Sequence, residues 1–306
     1  MINVFVIIVT YNGFEWVDKW FKSLLDSTIP LKIIVIDNGS VDGTCEKIRK
    51  HFPKVDLIES TSNLGFGQAN NIGIKKAYDL GATHFFLLNQ DAWMEPDTIE
   101  KLIIKQKENN EFGILSPVHL NGRGDALDSN FSTCIIPSKC RSLYSDFYLN
   151  SIQDKIYEID FVNAAAWLLS RKCIEKVGGF SPSFFQYGED DNYIHRAHYF
   201  GVKVGIYPLS KIFHDRENRN KSIYDEPLEK FKRRNLSKYS NPLGKYNIDS
   251  DKRRLIMSAT LQLLQGHIDS FKFVRKQYKI LNEIAPSIKE NLSRSIKGVP
   301  LCFLDN

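Results

Sequence analysis

Residues 83–91, Thr-His-Phe-Phe-Leu-Leu-Asn-Gln-Asp, constrain this chain more than any other stretch. A continuous run of large apolar residues of strand length suits a strand buried on both faces, as in a parallel sheet covered by helices. The run ends in a polar Asn-x-Asp step, so the Asp91 carboxylate sits where the strand leaves the sheet. In open α/β sheets that carboxyl edge is where ligands bind, which places Asp91 to meet a metal ion or a sugar hydroxyl. Acids at strand ends also form turns and cap helices, and taken alone an N-x-D step favours that plainer reading.

The preceding residues repeat the pattern. Strands are expected at 4–9, 32–36 and 55–58, with helices at about 14–26, where Trp16, Trp20 and Leu24 recur at helical spacing, and from a cap at Asp42 to residue 51. Strand and helix alternating through short connections imply right-handed crossovers and a mostly parallel sheet. Thr10, Tyr11 and Asn12 leave the first strand and Asp37 the second, so with Asp91 they line one edge. Asp37 suits an imide N–H or a ribose hydroxyl, as an acid at the second strand does in other nucleotide-binding sheets, or an Asx turn closed with Gly39. Residues 63–74, Asn-Leu-Gly-Phe-Gly-Gln-Ala-Asn-Asn-Ile-Gly-Ile, read as a glycine-rich turn entering a helix. The glycines allow close backbone approach and helix-entry N–H groups suit a phosphate; tight packing at a helix start is the blander reading. With no G-K-[ST], and with Asn70 where a third glycine belongs, this is neither a P-loop nor a dinucleotide fingerprint.

A helix at about 97–109 and a strand at 114–118 come next, then loops and short antiparallel strands across 121–157, expected to face an acceptor. The small residues Ala164, Ala165 and Ala166 allow close packing, by another element in preference to a flat ligand. Phe184, Phe185 and Tyr187 immediately precede Glu189, Asp190 and Asp191 at the start of a helix. The helix dipole favours acids there. It does not explain the aromatic cluster, which would desolvate a carboxylate and raise its pKa, as suits a general base. A strand at 203–207 leads through Pro208 to His214, a surface residue or a metal ligand.

Composition narrows the class. The 306 residues carry a net charge of +5, with 42% hydrophobic and 25% charged residues, as in an ordinary soluble protein. Five widely spaced cysteines, including Cys134 and Cys140 without nearby histidines, read as reduced thiols of a cytoplasmic protein. The apolar run at 4–9 lacks a basic start or cleavage site and is too short to span a bilayer.

Together and in order, Val9-Thr10-Tyr11-Asn12-Gly13, Asp37-Asn38-Gly39-Ser40, Asn63-x-Gly65-Phe66-x-x-Ala69-x-Asn71-x-Gly73, Leu88-Asn89-Gln90-Asp91, the block from Gly178-Gly179-Phe180 to Glu189-Asp190, and His214 resemble the family-2 glycosyltransferases of GT-A fold. The likeness covers about residues 1–216 and leans toward the bacterial polysaccharide and O-antigen enzymes, rhamnosyltransferases among them. It implies an α/β nucleotide-diphospho-sugar transferase fold and an inverting hexosyl transfer from dTDP-rhamnose or a UDP-sugar to a hydroxyl of a saccharide or lipid-linked saccharide. By position, Thr10, Tyr11 and Asp37 would hold the nucleoside, with Asn12, Asn89 and Gln90 beside it. Asn63, Gly65, Phe66 and Asn71 would belong to a loop closing over ribose and diphosphate. Asp91 would bind Mg²⁺ or Mn²⁺ and the donor sugar, His214 would approach the same metal, and Asp190, paired with Glu189, would be the base. Asn89 stands where many relatives have an acid, which removes one charge from the metal site, and Asp191 is the alternative base.

Composition changes beyond about Asp225, so the chain is expected to divide into a glycosyltransferase domain at 1–224, with a nucleotide-sugar half at 1–120 and an acceptor half at 121–224, and a basic helical extension at 225–306. In that extension Lys230, Lys232, Arg233, Arg234, Lys238, Lys245, Lys252, Arg253 and Arg254 form a basic cluster around a turn at 240–244, and helical spacing recurs at 255–264 and 268–284. Such a cluster is a solvated face or a contact to anionic lipid at the inner face of the cell membrane. Nucleic acid is disfavoured, because no recognised module accompanies the charge. The competing readings are a sugar-nucleotide nucleotidyltransferase, which would open with a basic glycine-rich loop, and a non-catalytic sugar-nucleotide-binding module.

Overall fold

The structure, a computed structural model, describes residues 2–217, 223–298 and 300–304; residues 218–222, near the end of the expected first domain, and 305–306 of the extension lie outside it. Strand β1 (Val4–Thr10) alternates its side chains between two cores. Phe5 and Ile7 enter one, with Ile34, Ile36, Phe85 and Leu87. Val4, Val6 and Ile8 enter the other, with Val35, Phe86 and Leu88. A sheet apolar on both faces needs helices on both, and it has them. Helix α1 (Val17–Leu25), α2 (Thr44–His51) and α4 (Thr98–Glu108) cover one side. Helix α3 (Gly65–Asp79), α7 (Arg171–Val177) and α8 (Glu189–Tyr199) cover the other.

The first half of the sheet matches the expectation. Strands β2 (Lys32–Asp37), β3 (Asp56–Glu59) and β4 (His84–Asn89) join β1 in the order β3-β2-β1-β4, all parallel. The second half does not. Strands β5 (Ala92–Met94), β6 (Phe112–Asn121), β8 (Ala166–Ser170) and β9 (Lys203–His214) extend the order to β4-β8-β6-β9-β5, and β7 (Tyr157–Glu158) pairs with β9. Of these pairings only β6 with β9 is parallel, so the sheet is mixed.

Three further expectations change. Residues 121–157 hold two short helices, α5 (Ser129–Cys134) and α6 (Arg141–Tyr148), and among the described residues the expected antiparallel pairing is confined to the Leu120–Leu127 bridge and to Tyr157 at the start of β7. Asp128 starts the first by accepting from the N–H groups of Asn130 and Phe131. Strand β9 runs unbroken through Pro208, its ladder to β6 shifting register between Ser116 and Val118, the kind of bulge at which proline is tolerated. Residues 65–73 are not a loop but the first turns of α3. A Cβ on Gly73 would lie 2.6 Å from Ile7 and 2.7 Å from Ile36, so this glycine lets the helix settle onto the sheet.

The C-terminal segment forms α9 (Pro227–Tyr239), α10 (Ile248–Leu264) and α11 (Ile268–Ile296). Leu236 and Tyr239 of α9 and Leu281, Ile284 and Ile288 of α11 bury Phe184 beneath them. The chain then returns to the sheet: the Cys302 carbonyl accepts from Gly179 N–H at 2.8 Å, and Leu304 joins the core under α3. The extension is thus packed onto the elements that carry the acidic cluster. All five cysteines are buried.

Candidate active site

The ends of β1, β2 and β4 open into one cavity of about 290 Å³. Tyr11, Asn63, Phe66, Asn89, Gln90 and Asp91 line it from the parallel half, and Glu189 and Asp190 from the start of α8. The acids expected to converge therefore do so. Asp191 points elsewhere, into a second cavity between α8 and α9.

Several expected donor residues instead build the wall. Thr10 Oγ1 and Tyr11 N–H both donate to Gln90 Oε1, at 2.9 and 2.7 Å, which ties the exit of β1 to that of β4. Asn12, at φ 49°, accepts from Val41 N–H and donates its own N–H to Ser40, joining the β1 and β2 turns. Asp37 is 2% exposed and its Oδ2 accepts from Gly39 and Ser40 N–H, so the Asx turn is what forms; its neighbour Asn38 faces the cavity. Gly65 has φ +78°, and a Cβ there would fall 2.1 Å from the Phe185 carbonyl, so its absence lets α3 meet the aromatic loop. Asn71 lies away from the cavity, its amide bonded to the Phe180 N–H and carbonyl. Ala164 and Ala165, expected to serve packing, form part of the cavity wall.

Asp91 leads into β5 and His214 ends β9, its antiparallel partner, where Ala92 faces His214. That pairing brings Asp91 Oδ1 within 3.3 Å of His214 Nε2, both side chains fully buried. On the far side, His214 Nδ1 is 3.4 Å from Asp128 Oδ2. Burial lowers the His214 pKa, and the Asp128 and Asp91 carboxylates more than reverse that, leaving it raised. Burial pushes Asp128 upward, but His214 and the capped N–H of Phe131 outweigh it and hold the carboxyl at about 2. Asn89 Nδ2 is 3.4 Å from His214 Nε2, while its buried Oδ1 has no hydrogen-bond partner among the described residues.

A carboxylate, an imidazole and an unpaired amide oxygen are donors that Mg²⁺ or Mn²⁺ accepts. The described residues offer no group of three or more His, Cys, Asp or Glu able to hold a metal, so a cation here would complete its shell from ligand oxygens. Asp128 stands as the orienting carboxylate behind the histidine. Sequence reasoning missed it, and also Arg216, which lines the cavity just beyond His214. The cap motif at Asp128 was the one visible signal.

At the other wall, Glu189 is 5% exposed, and burial followed by the charge of Asp190 raises its pKa well above the ordinary range. Burial also raises Asp190, against N–H groups including that of Asp191, which donates to its Oδ1 at 2.9 Å. Asp191 is pushed up to about 7 by burial and by Asp190, with Arg233 and Lys139 opposing. The three adjacent carboxyls, two facing this cavity and Asp191 the next, are all raised by burial and mutual repulsion, as suits a proton-accepting site.

Comparison with known proteins follows the same lines. The family model described as "Glycosyl transferase family 2" matches residues 5–178. The chain is similar to the low-salt glycan biosynthesis hexosyltransferase Agl10 of Haloferax volcanii, 26% identical over 92% of this chain and 88% of that one. It is 24% identical to the N-acetylglucosaminyl-diphospho-decaprenol L-rhamnosyltransferase of Mycobacterium tuberculosis, over 68% of this chain and 75% of that one. In fold it is similar to a mannosyltransferase from Pyrobaculum calidifontis solved in complex with GDP-Man and Mn²⁺, with TM-score 0.55, 17% identity, and coverage of 96% and 75% of the two chains.

Proposed function

The chain belongs to glycosyl transferase family 2, and from that premise we propose that it moves a hexosyl group from a nucleotide diphosphate donor to an acceptor hydroxyl with inversion. It is a glycosyltransferase of GT-A fold acting in polysaccharide synthesis. The donor proposed is dTDP-rhamnose or a UDP-sugar, and the acceptor a saccharide or lipid-linked saccharide, with residues 1–120 serving the donor and 121–224 the acceptor. The observation that carries this reading is the shared cavity of Asp91 and Asp190.

Asp91 and His214, with Asn89 beside them, would hold Mg²⁺ or Mn²⁺. Such a cation, when bound, offsets the charge that gathers on a departing diphosphate. Arg216, on the same wall, supplies positive charge that does not depend on the metal. Tyr11 and Trp16 offer aromatic surface to a base. Ala164 and Ala165 leave room for a flat sugar ring between the two acid walls. Asp190 accepts the proton of the incoming hydroxyl, so bond formation and departure proceed from opposite faces of the anomeric carbon. Burial raises both Glu189 and Asp190 above the ordinary carboxylate range, and the charge of Asp190 raises Glu189 further. A single displacement of this kind inverts the configuration.

A thermal-shift panel of nucleotide sugars with Mn²⁺ tests the reading. One of dTDP-rhamnose, the UDP-sugars or the GDP-sugars should raise the melting temperature, and EDTA should remove the rise. No response to any of them would defeat it.

We further propose that residues 225–306 lie against the inner face of the cell membrane of a cytoplasmic enzyme. No helix among the described residues is long and apolar enough to cross a membrane. Helix α10 buries none of its residues, and Met257 and Leu264 are exposed beside Arg253 and Arg254, which supports contact with anionic lipid.

A further inference from the structure

Helix α9 places Lys230, Arg233, Arg234 and Lys238 three and four residues apart, and therefore on one face. That face closes a cavity of about 490 Å³ against Gly188, Asp191 and His195 of α8 and its N-terminal turn. Four cations thus surround a space whose lining contains one carboxylate, Asp191. Two have partners beside it: Lys230 lies 3.3 Å from Asp225 and Lys238 lies 2.8 Å from Asp251. Arg233 sits over the Tyr187 ring at 4.9 Å and its charge acts on Glu189 and Asp191, while neither it nor Arg234 forms a close salt bridge among the described residues. Like charges at this spacing on a helix oppose its stability, and Arg234 is exposed, so packing does not call for it. His195, on the opposite wall, has a buried Nδ1 without a hydrogen-bond partner among the described residues.

Position gives the cluster a role. Tyr187, at φ +66°, lines both this cavity and the one containing Asp91. Asp190 faces one space and Asp191, its neighbour, the other. An anion held by α9 would sit on the acceptor side of the proposed base, separated from the donor by Tyr187. Paired guanidinium groups match the geometry of phosphate oxygens.

We propose that the α8–α9 cavity is a second anion subsite, which binds the phosphate or diphosphate of a phosphorylated acceptor and so delivers the acceptor hydroxyl to Asp190. This rests on the transferase reading, whose donor diphosphate it leaves at Asp91. The probe is inorganic pyrophosphate, titrated by calorimetry in EDTA so that no metal-assisted binding contributes. Wild-type protein and Asp91→Asn should both bind it. Arg234→Gln, which removes an exposed side chain, should weaken binding, and Arg233→Gln/Arg234→Gln should do so by about tenfold or more, as loss of charge-assisted hydrogen bonds does. The double variant should keep the native stabilisation by nucleotide sugar and Mn²⁺, which also reports an intact fold. Native affinity in the double variant, or loss of binding in Asp91→Asn, overturns the proposal. So does a wild type blind to pyrophosphate whose binding to phosphatidylglycerol vesicles needs the two arginines, because the face is then a membrane surface. If pyrophosphate behaves as expected while no nucleotide sugar stabilises the protein, the transferase reading fails and the anion site remains.

Discussion

Replacing Asp190 by Asn separates chemistry from folding, because the structure predicts opposite signs for the two. Asparagine keeps the size of the side chain at the start of α8 but cannot accept a proton. Loss of a general base typically costs about a hundred- to ten-thousand-fold in rate, which is about 2.7–5.5 kcal/mol in the barrier. After burial, the charge of Asp190 is the next cause that raises both Glu189 and Asp191. Removing it relieves that repulsion, so the variant should melt no lower than the native protein. The native pH profile carries the same signature. A base must be deprotonated, and burial raises Asp190, so kcat/KM should climb with pH through a limb above the usual carboxylate range. That limb belongs to the acid cluster as a whole. Radiolabelled sugar transfer across pH, beside scanning calorimetry, reads both effects. An Asp190→Asn enzyme with more than a tenth of native kcat, or one inactive only because it melts early, refutes the assignment of the base.

Two further outcomes follow from the same geometry. Asp128→Asn keeps an oxygen to cap α5 but loses the charge behind His214, so Mn²⁺ affinity measured by electron paramagnetic resonance should fall about ten- to a hundredfold, and the melting temperature at neutral pH should fall too, because the native carboxyl is held at about 2; native affinity removes the orienting role. Asp191 is held at about 7 against an ordinary 3.8, so the folded state binds more protons than the unfolded state between those values and loses stability as pH rises through that window. Asp191→Asn should therefore gain more in melting temperature at pH 8 than at pH 5, and an equal gain at both would show that its carboxyl is not strained.

The parallel half of the fold was legible because β1, β2 and β4 are apolar runs with polar exits, a pattern that fixes both burial and the edge where ligands gather. The second half was not, since β6, β8 and β9 are equally apolar and such runs carry no mark of direction; only long-range pairing makes β8 antiparallel to both β4 and β6. Only the first turns of helix α3 read as a turn in sequence, because glycine disfavours helix, yet Gly73 is there for what it lets Ile7 and Ile36 occupy. At the site, Asp91, Asp190 and His214 were visible as residues, but their roles depend on partners distant in the chain. Asp128 is the example: locally it is a helix cap, and only the end of β9 makes it His214's neighbour. Asp37 forms the Asx turn that was one of its two readings, through Oδ2 alone, while Oδ1 has no hydrogen-bond partner among the described residues.

The most direct measurement is a crystal structure of the protein with Mn²⁺ and an unreactive analogue of its nucleotide sugar. The expected result is an anomalous metal peak within bonding distance of Asp91 and His214, with the anomeric carbon between that metal and Asp190. A nucleotide seated elsewhere, for instance in the apolar cavity between α3 and the chain end around Phe303, with the acid-lined cavity empty, would contradict the convergence of these acids on one activated sugar.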